Sequence, residues 1–89
     1  MNPTINKLRS QIDQIDHSIL MLLNGRFKIT RRLQMRKKEL GIGILQKNRE
    51  KNLLEKYVRF ARRHHLSESL IRKIFKAIFS YSKKTGIIK

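Results

Sequence analysis

The sequence predicts an all-α protein of three helices, one long and two shorter, that pairs with a second copy of itself. Apolar residues recur at alternating steps of three and four from Ile5 to Leu40, interrupted only by Arg26 and Arg36. Two later stretches repeat the helical spacing, and no segment alternates long enough with the period of two that indicates a β-strand. We expect one domain, residues 1–89.

The first helix is organised around an apolar seam with heptad-like spacing. Asn2 or Thr4 is expected to cap its start, and Gly41 to end it in the left-handed conformation. A helix of this length, about 50 Å, cannot bury its seam against two short helices. We therefore expect an intertwined homodimer in which two chains share the seam. The seam residues are Ile5, Leu8, Ile12, Ile15, Ile19, Leu22, Ile29, Leu33 and Leu40.

The second and third helices are shorter and amphipathic. The second is expected to begin near Leu45 and to close at the basic run 62–65, which suits the negative end of a helix dipole. Ser67 is a favourable cap for the third helix, and Ser82 continues that helix's apolar face. The aromatic residues are expected mostly in the core rather than as stacking platforms for bases. They are Phe27, Tyr57, Phe60, Phe75, Phe79 and Tyr81.

The chain is strongly basic. It carries 22 Lys and Arg against six Asp and Glu, a formal net charge of +16. This excess favours anionic partners, such as nucleic acid, an acidic membrane surface or a small polyanion. A solvated, lysine-rich surface explains the excess about equally well.

Several classes of function are disfavoured by composition. The chain has no Cys, so disulfides and thiolate metal sites are excluded, and a cytoplasmic protein is expected. No apolar run approaches the roughly 20 residues of a membrane span. The neighbouring His64 and His65 point apart on a helix and have no acid placed to join them, so no metal site is expected. No glycine-rich phosphate loop is present, and we expect no cofactor.

Two positions of the apolar seam are occupied by arginines, Arg26 and Arg36. Arg26 is costly to bury unless it is paired, so it belongs to a structural ion pair, extends to water, or helps to bind an anion. Lys37 follows eleven residues later on nearly the same face, about 16 Å along the helix. Two such side chains could grip a small anion. Arg9 lies about 25 Å the other way and could reach this place only from the partner in an antiparallel dimer.

Three polar residues of the shorter helices are further candidates. Arg49 and Glu50 lie in the first turns of the second helix. Glu50 either stabilises the helix dipole or accepts a hydrogen bond from a ligand hydroxyl. Ser82 either donates to a carboxylate or bonds to its own helix backbone.

These residues resemble, in order and spacing, the all-helical class of chorismate mutases over nearly the whole chain. Residues 8–16, LRSQIDQID, are similar to the family's opening LRxxID.ID. Residues 22–26, LLNGR, look like its LL..R, with Lys37 at the family's lysine eleven residues on. The pair Arg49 and Glu50 looks like its RE motif, and residues 78–82, IFSYS, like the start of its closing I...S...Q.

The resemblance implies an intertwined dimer that rearranges the dicarboxylate chorismate to prephenate, within aromatic amino acid biosynthesis by the shikimate pathway. The pocket would hold a compact conformer and stabilise charge on the breaking ether oxygen. Arg26 and the partner's Arg9 would bind the two carboxylates, with Ser82 assisting and Arg49 supporting them. Glu50 would accept the ring hydroxyl. Lys37 would donate to a carboxylate and to the ether oxygen.

The sequence departs from the family's pattern at two positions. The closing glutamine, the second donor to the ether oxygen, is replaced by Gly86, and an aspartate three residues before the RE pair is replaced by Gln46. Loss of one preorganised donor typically costs about 3–4 kcal/mol of transition-state stabilisation. Gly86 cannot replace that donor, but Lys83, Lys84 or Thr85 could.

Two alternatives remain open at this point. One is a mutase or lyase that acts on a chorismate relative, such as 4-amino-4-deoxychorismate or isochorismate. The other is a non-catalytic helical dimer that binds an anion or nucleic acid. Gly86 favours the non-catalytic alternative, because it removes a donor to the ether oxygen. Glu50 argues against that alternative, because an acid is of no use in a pocket that only binds anions.

Overall fold

The computed structural model describes the backbone of residues 2–41 and 47–87 and the side chains of residues 2–41 and 48–84. Its elements are three helices, α1 (Pro3–Glu39), α2 (Lys47–Arg63) and α3 (Glu68–Ile87). No strand occurs in these ranges. The predicted all-α class with one long and two shorter helices is therefore confirmed. The expected start of the second helix near Leu45 and the substituted Gln46 lie outside the described residues.

The ends of α1 follow from local chemistry. The Asn2 side chain caps the helix, because its Oδ1 accepts a hydrogen bond of 2.9 Å from the Thr4 backbone N–H. Glu39 is the last helical residue, one position before the expected end at Leu40. Gly41 adopts a φ of 73°, the left-handed conformation predicted for it.

The turn between α2 and α3 is a Schellman motif. The Leu66 N–H donates to the Ala61 carbonyl at 2.8 Å, and the His65 N–H donates to the Arg62 carbonyl at 3.4 Å. His65 holds a φ of 58°, a conformation that such motifs usually give to glycine. Because α2 ends at Arg63, His64 and His65 belong to this turn rather than to the helix.

The beginning of α3 is capped as predicted. Ser67 Oγ accepts a hydrogen bond of 3.1 Å from the Leu70 backbone N–H, which satisfies one of the free donors of the first turn. Glu68, the first helical residue, adds a negative charge at the positive end of the helix dipole.

The chain divides into two compact units, Met1–Thr30 and Arg31–Lys89. In the second unit, α2 packs against α3. Val58, Ala61 and Phe79 are buried, and the Tyr57 and Phe75 ring centroids are 4.4 Å apart. Burial of one such large side chain is worth roughly 1.5–3 kcal/mol. This core fixes the faces of α2 and α3 that carry Glu50 and Ser82.

Two aromatic residues differ from the expected core placement. Phe60 and Tyr81 are each 51% exposed, whereas Phe27, Tyr57 and Phe75 are half-buried and Phe79 is buried. Phe60 stacks on His64, with ring centroids 4.1 Å apart, at the surface of α2. Both exposed residues lie on faces that turn away from the α2–α3 core.

The first unit consists of the N-terminal part of α1, and its apolar seam is uncovered in the single chain. The seam side chains there are between 43% and 73% exposed. They are Ile5, Leu8, Ile12, Ile15, Ile19, Leu22 and Ile29. None of the described helices combines the length and apolarity needed to cross a lipid bilayer.

Candidate functional site

Four of the six candidate residues fall in the same compact unit. Lys37, Arg49, Glu50 and Ser82 belong to Arg31–Lys89, in which α2 and α3 pack together. Lys37 is half-buried although it carries a charge, whereas Arg49 is exposed. A long lysine side chain can cover apolar surface with its alkyl part while it keeps the ammonium in water, so half-burial is compatible with an ammonium that is open to an anion.

The other two candidates belong to the unit Met1–Thr30. Arg26 is half-buried and Arg9 is exposed. Thr30, four residues after Arg26, donates its hydroxyl hydrogen to the Phe27 carbonyl at 3.1 Å. The carboxylate-binding roles expected for Arg9 and Arg26 stay predictions from the sequence.

Glu50 joins the first turn of α2 to α3 through an ion pair. Lys83 Nζ donates to Glu50 Oε1 at 3.1 Å, and the two side chains are 32% and 27% exposed, respectively. Charge-assisted hydrogen bonds of this kind are among the stronger protein contacts. Since only Oε1 accepts from a described residue, Oε2 is available to a ligand hydroxyl. The sequence does not predict this pairing, although it offers Lys83 as a possible donor.

Ser82, the residue before Lys83 in α3, is buried. It is 5% exposed, and its hydroxyl donates to the Ile78 carbonyl at 2.9 Å, one turn earlier in α3. The structure therefore shows the backbone bond, one of the two roles considered for this side chain. To donate to a carboxylate, the hydroxyl would have to rotate away from Ile78.

A buried polar side chain that the sequence did not single out lies one turn before Lys37. Gln34 is 8% exposed, and its Oε1 has no hydrogen-bond partner among the described residues. Residues three apart on a helix are surface neighbours, so Gln34 lies beside Lys37 on α1. The spacing of three from Lys37 is the one sequence signal for this residue, because the apolar seam pattern does not include polar positions.

The ranges 2–41 and 47–87 contain no cluster of side chains that could bind a metal ion. No group of three His, Asp or Glu side chains there is close enough to hold one ion. Among the described residues, α2 and α3 carry an acid whose Oε2 accepts no hydrogen bond, a lysine bound to that acid, and a buried hydroxyl one residue before that lysine. The half-buried Lys37 belongs to the same compact unit. Such a set can bind an anionic ligand that also carries a hydroxyl group.

Comparison with known proteins gives consistent results. Residues 8–86 match the family described as chorismate mutase type II. The chain is 30% identical over 77 residues to a chorismate mutase of Methanocaldococcus jannaschii, with 86% of this chain and 78% of that protein covered. It is 33% identical over 90 residues to a bifunctional chorismate mutase/prephenate dehydratase of Aquifex aeolicus. That match covers 93% of this chain and 25% of the relative.

Proposed function

This chain belongs to the chorismate mutase type II family, and we propose on that premise that it rearranges chorismate to prephenate. The observation that carries the proposal is the ion pair between Glu50 and Lys83 across α2 and α3, which leaves Glu50 Oε2 without a partner among the described residues. The family assignment favours this reaction over a lyase reaction or nucleic-acid binding.

The reaction needs no covalent bond to the protein. The bond between the ether oxygen and a ring carbon breaks while the enolpyruvyl methylene bonds to another ring carbon, and no atom enters or leaves. The protein has two tasks: to hold the compact conformer and to stabilise negative charge on the ether oxygen. Both tasks suit fixed cations and hydrogen-bond donors.

Each candidate residue has a role in this proposal. Lys37 donates to the ether oxygen and to a carboxylate, and Glu50 accepts the ring hydroxyl through Oε2. Arg49 and Ser82 support the carboxylates. Arg26 is assigned a carboxylate on the strength of the sequence correspondence.

Arg9 is assigned the second carboxylate, from the partner chain of a homodimer. The uncovered seam of α1 supports this assembly, since its apolar side chains gain free energy when a second copy removes them from water. Ile15 is 60% exposed on this seam, and the neighbouring Gln14 is exposed beside it. In analytical ultracentrifugation, Ile15→Glu should sediment as a monomer and Gln14→Glu as a dimer. Equal masses for the two variants would contradict the seam dimer.

The cytoplasmic location expected from the cysteine-free composition is part of the same proposal. So is the place of the reaction in aromatic amino acid biosynthesis.

The experiment that tests the function follows chorismate absorbance with purified protein. Wild type should consume chorismate and form prephenate, and Lys37→Met should lower kcat by about 10²–10³-fold, the usual effect of losing one donor to a developing oxyanion. Lys38→Met is the matched control, because Lys38 is exposed and adjacent. A wild-type protein that leaves chorismate unchanged would overturn the proposed function.

A further inference from the structure

Two adjacent lysines of α3 have different environments. Lys83 is half-buried and bonded to Glu50 at 3.1 Å across the α2–α3 contact, whereas Lys84 is exposed. A lysine ordinarily keeps its ammonium in water, where it is strongly hydrated. The structure instead places the Lys83 ammonium on the carboxylate to which the proposed function gives the substrate hydroxyl.

Lys83 also stands near the place of the family's missing donor. Position 86, where the family has glutamine and this chain has glycine, follows Lys83 by three residues on the same helix. Side chains of a helix lean toward its N-terminus, so an amide carried at position 86 would lie over the turn that contains Ser82 and Lys83. The Lys83 side chain starts from the turn over which that amide would extend.

The chemistry of chorismate links the two oxygens that these groups would contact. Its ring hydroxyl and its ether oxygen are on neighbouring ring carbons. A hydroxyl that donates to Glu50 Oε2 therefore brings the ether oxygen next to the group bonded to Oε1. That group is the Lys83 ammonium, which has three N–H donors and gives one of them to Glu50.

We propose that Lys83, held in place by Glu50, donates a hydrogen bond to the breaking ether oxygen in place of the absent amide at position 86. This inference rests on the proposed function. An ammonium can take the place of the neutral amide donor, because it donates a hydrogen bond and its positive charge also attracts the negative charge that develops on the oxygen. Lys83 is then a catalytic residue, and Glu50 is both a substrate ligand and the group that positions Lys83.

The first test compares Lys83→Met with Lys84→Met, which remove the same charge from adjacent positions. Lys83→Met should lower kcat by about 10²–10³-fold with a smaller change in KM, because the bond strengthens as charge develops in the transition state. Lys84→Met should keep the wild-type kcat. Far-ultraviolet circular dichroism of both variants checks that they are folded.

The second test restores the ammonium chemically. Because the chain has no Cys, Lys83→Cys introduces a single thiol, which 2-bromoethylamine converts to a side chain of lysine length with a terminal amine. Activity should be low before alkylation and return afterwards, whereas alkylated wild type should be unchanged. Adding Gly86→Gln to Lys83→Met should also recover activity, since it returns an amide donor to the same turn.

The outcomes separate this inference from the function on which it rests. A wild-type chain without mutase activity overturns the function. An active wild type together with a folded Lys83→Met variant as fast as Lys84→Met overturns the role of Lys83 alone. Failure of alkylation to raise the activity of folded Lys83→Cys overturns it as well.

Discussion

Arg62 and Glu68 join the end of α2 to the beginning of α3 through two hydrogen bonds, from Nε to Oε2 and from Nη2 to Oε1, each 3.1 Å long. The bonds from Arg62 hold the pKa of the Glu68 carboxyl below its ordinary value. The same contact raises the pKa of Arg62, which stays protonated at any pH of interest. The pair spans the Schellman turn and so adds a side-chain link to the backbone bonds that form it.

The first prediction concerns stability in acid. Because the folded pKa of Glu68 is depressed, its contribution is present above the ordinary glutamate pKa and is lost as the pH falls through the folded value. In urea unfolding at a series of pH values, Glu68→Gln should show a shallower loss of unfolding free energy on acidification than wild type. Arg62→Met should show the same flattening. Equal slopes in all three proteins would refute it.

The second prediction concerns the acid of the candidate site. Glu50→Gln should lower kcat/KM by roughly 10²-fold or more, because it weakens the acceptor for the ring hydroxyl and releases the Lys83 ammonium. Glu55→Gln, an equal change of charge at an exposed position of α2, should leave kcat/KM near the wild-type value. The measurement is steady-state kinetics with chorismate. A similar loss of kcat/KM in both variants would contradict the role proposed for Glu50.

The third prediction concerns the strained end of α2. His65 adopts a left-handed conformation that costs an L-residue about 1–2 kcal/mol and costs glycine almost nothing. His65→Gly should therefore raise the free energy of unfolding by about 1 kcal/mol, after allowance for the greater entropy of glycine in the unfolded chain. The measurement is chemical denaturation of wild type, His65→Gly and His65→Ala. A destabilised glycine variant would show that the imidazole contributes more than the strain removes.

The fourth prediction concerns the buried amide of α1. Gln34 Oε1 is buried without a partner among the described residues, and an unsatisfied buried acceptor costs about 1–3 kcal/mol. Methionine has a similar length and no such acceptor, so Gln34→Met should raise the midpoint of denaturation. Gln14→Met, at an exposed position of the same helix, controls for helix propensity. A lower midpoint for Gln34→Met alone would show that the amide is satisfied in the assembled protein.

What could be foreseen from the sequence was mostly local. Helix identity follows from apolar spacing, and the caps at Asn2 and Ser67 and the terminator Gly41 act within a few residues of their own positions. Such features depend on residues only a few positions apart in the sequence, so the sequence pattern is enough to predict them.

What escaped prediction depends on how helices meet. The bond between Glu50 and Lys83 joins positions 33 residues apart, and no periodicity relates them. The burial of Gln34 and the exposure of Phe60 depend equally on which face of each helix the packing covers. The role proposed for Arg9 depends on a second chain, which the sequence of one chain describes only indirectly.

The uncovered seam of α1 has a genetic consequence. In the proposed homodimer, each chain would contribute its Arg9 to the site of the other, so that each of the two sites would contain residues from both polypeptides. A cell that makes one chain with Arg9→Ala and another with Glu50→Gln would assemble heterodimers. In each heterodimer, one of the two sites would contain both Arg9 and Glu50 unsubstituted. Two alleles that are each inactive alone would then complement one another. A single allele that carries both Arg9→Ala and Glu50→Gln would complement neither of them.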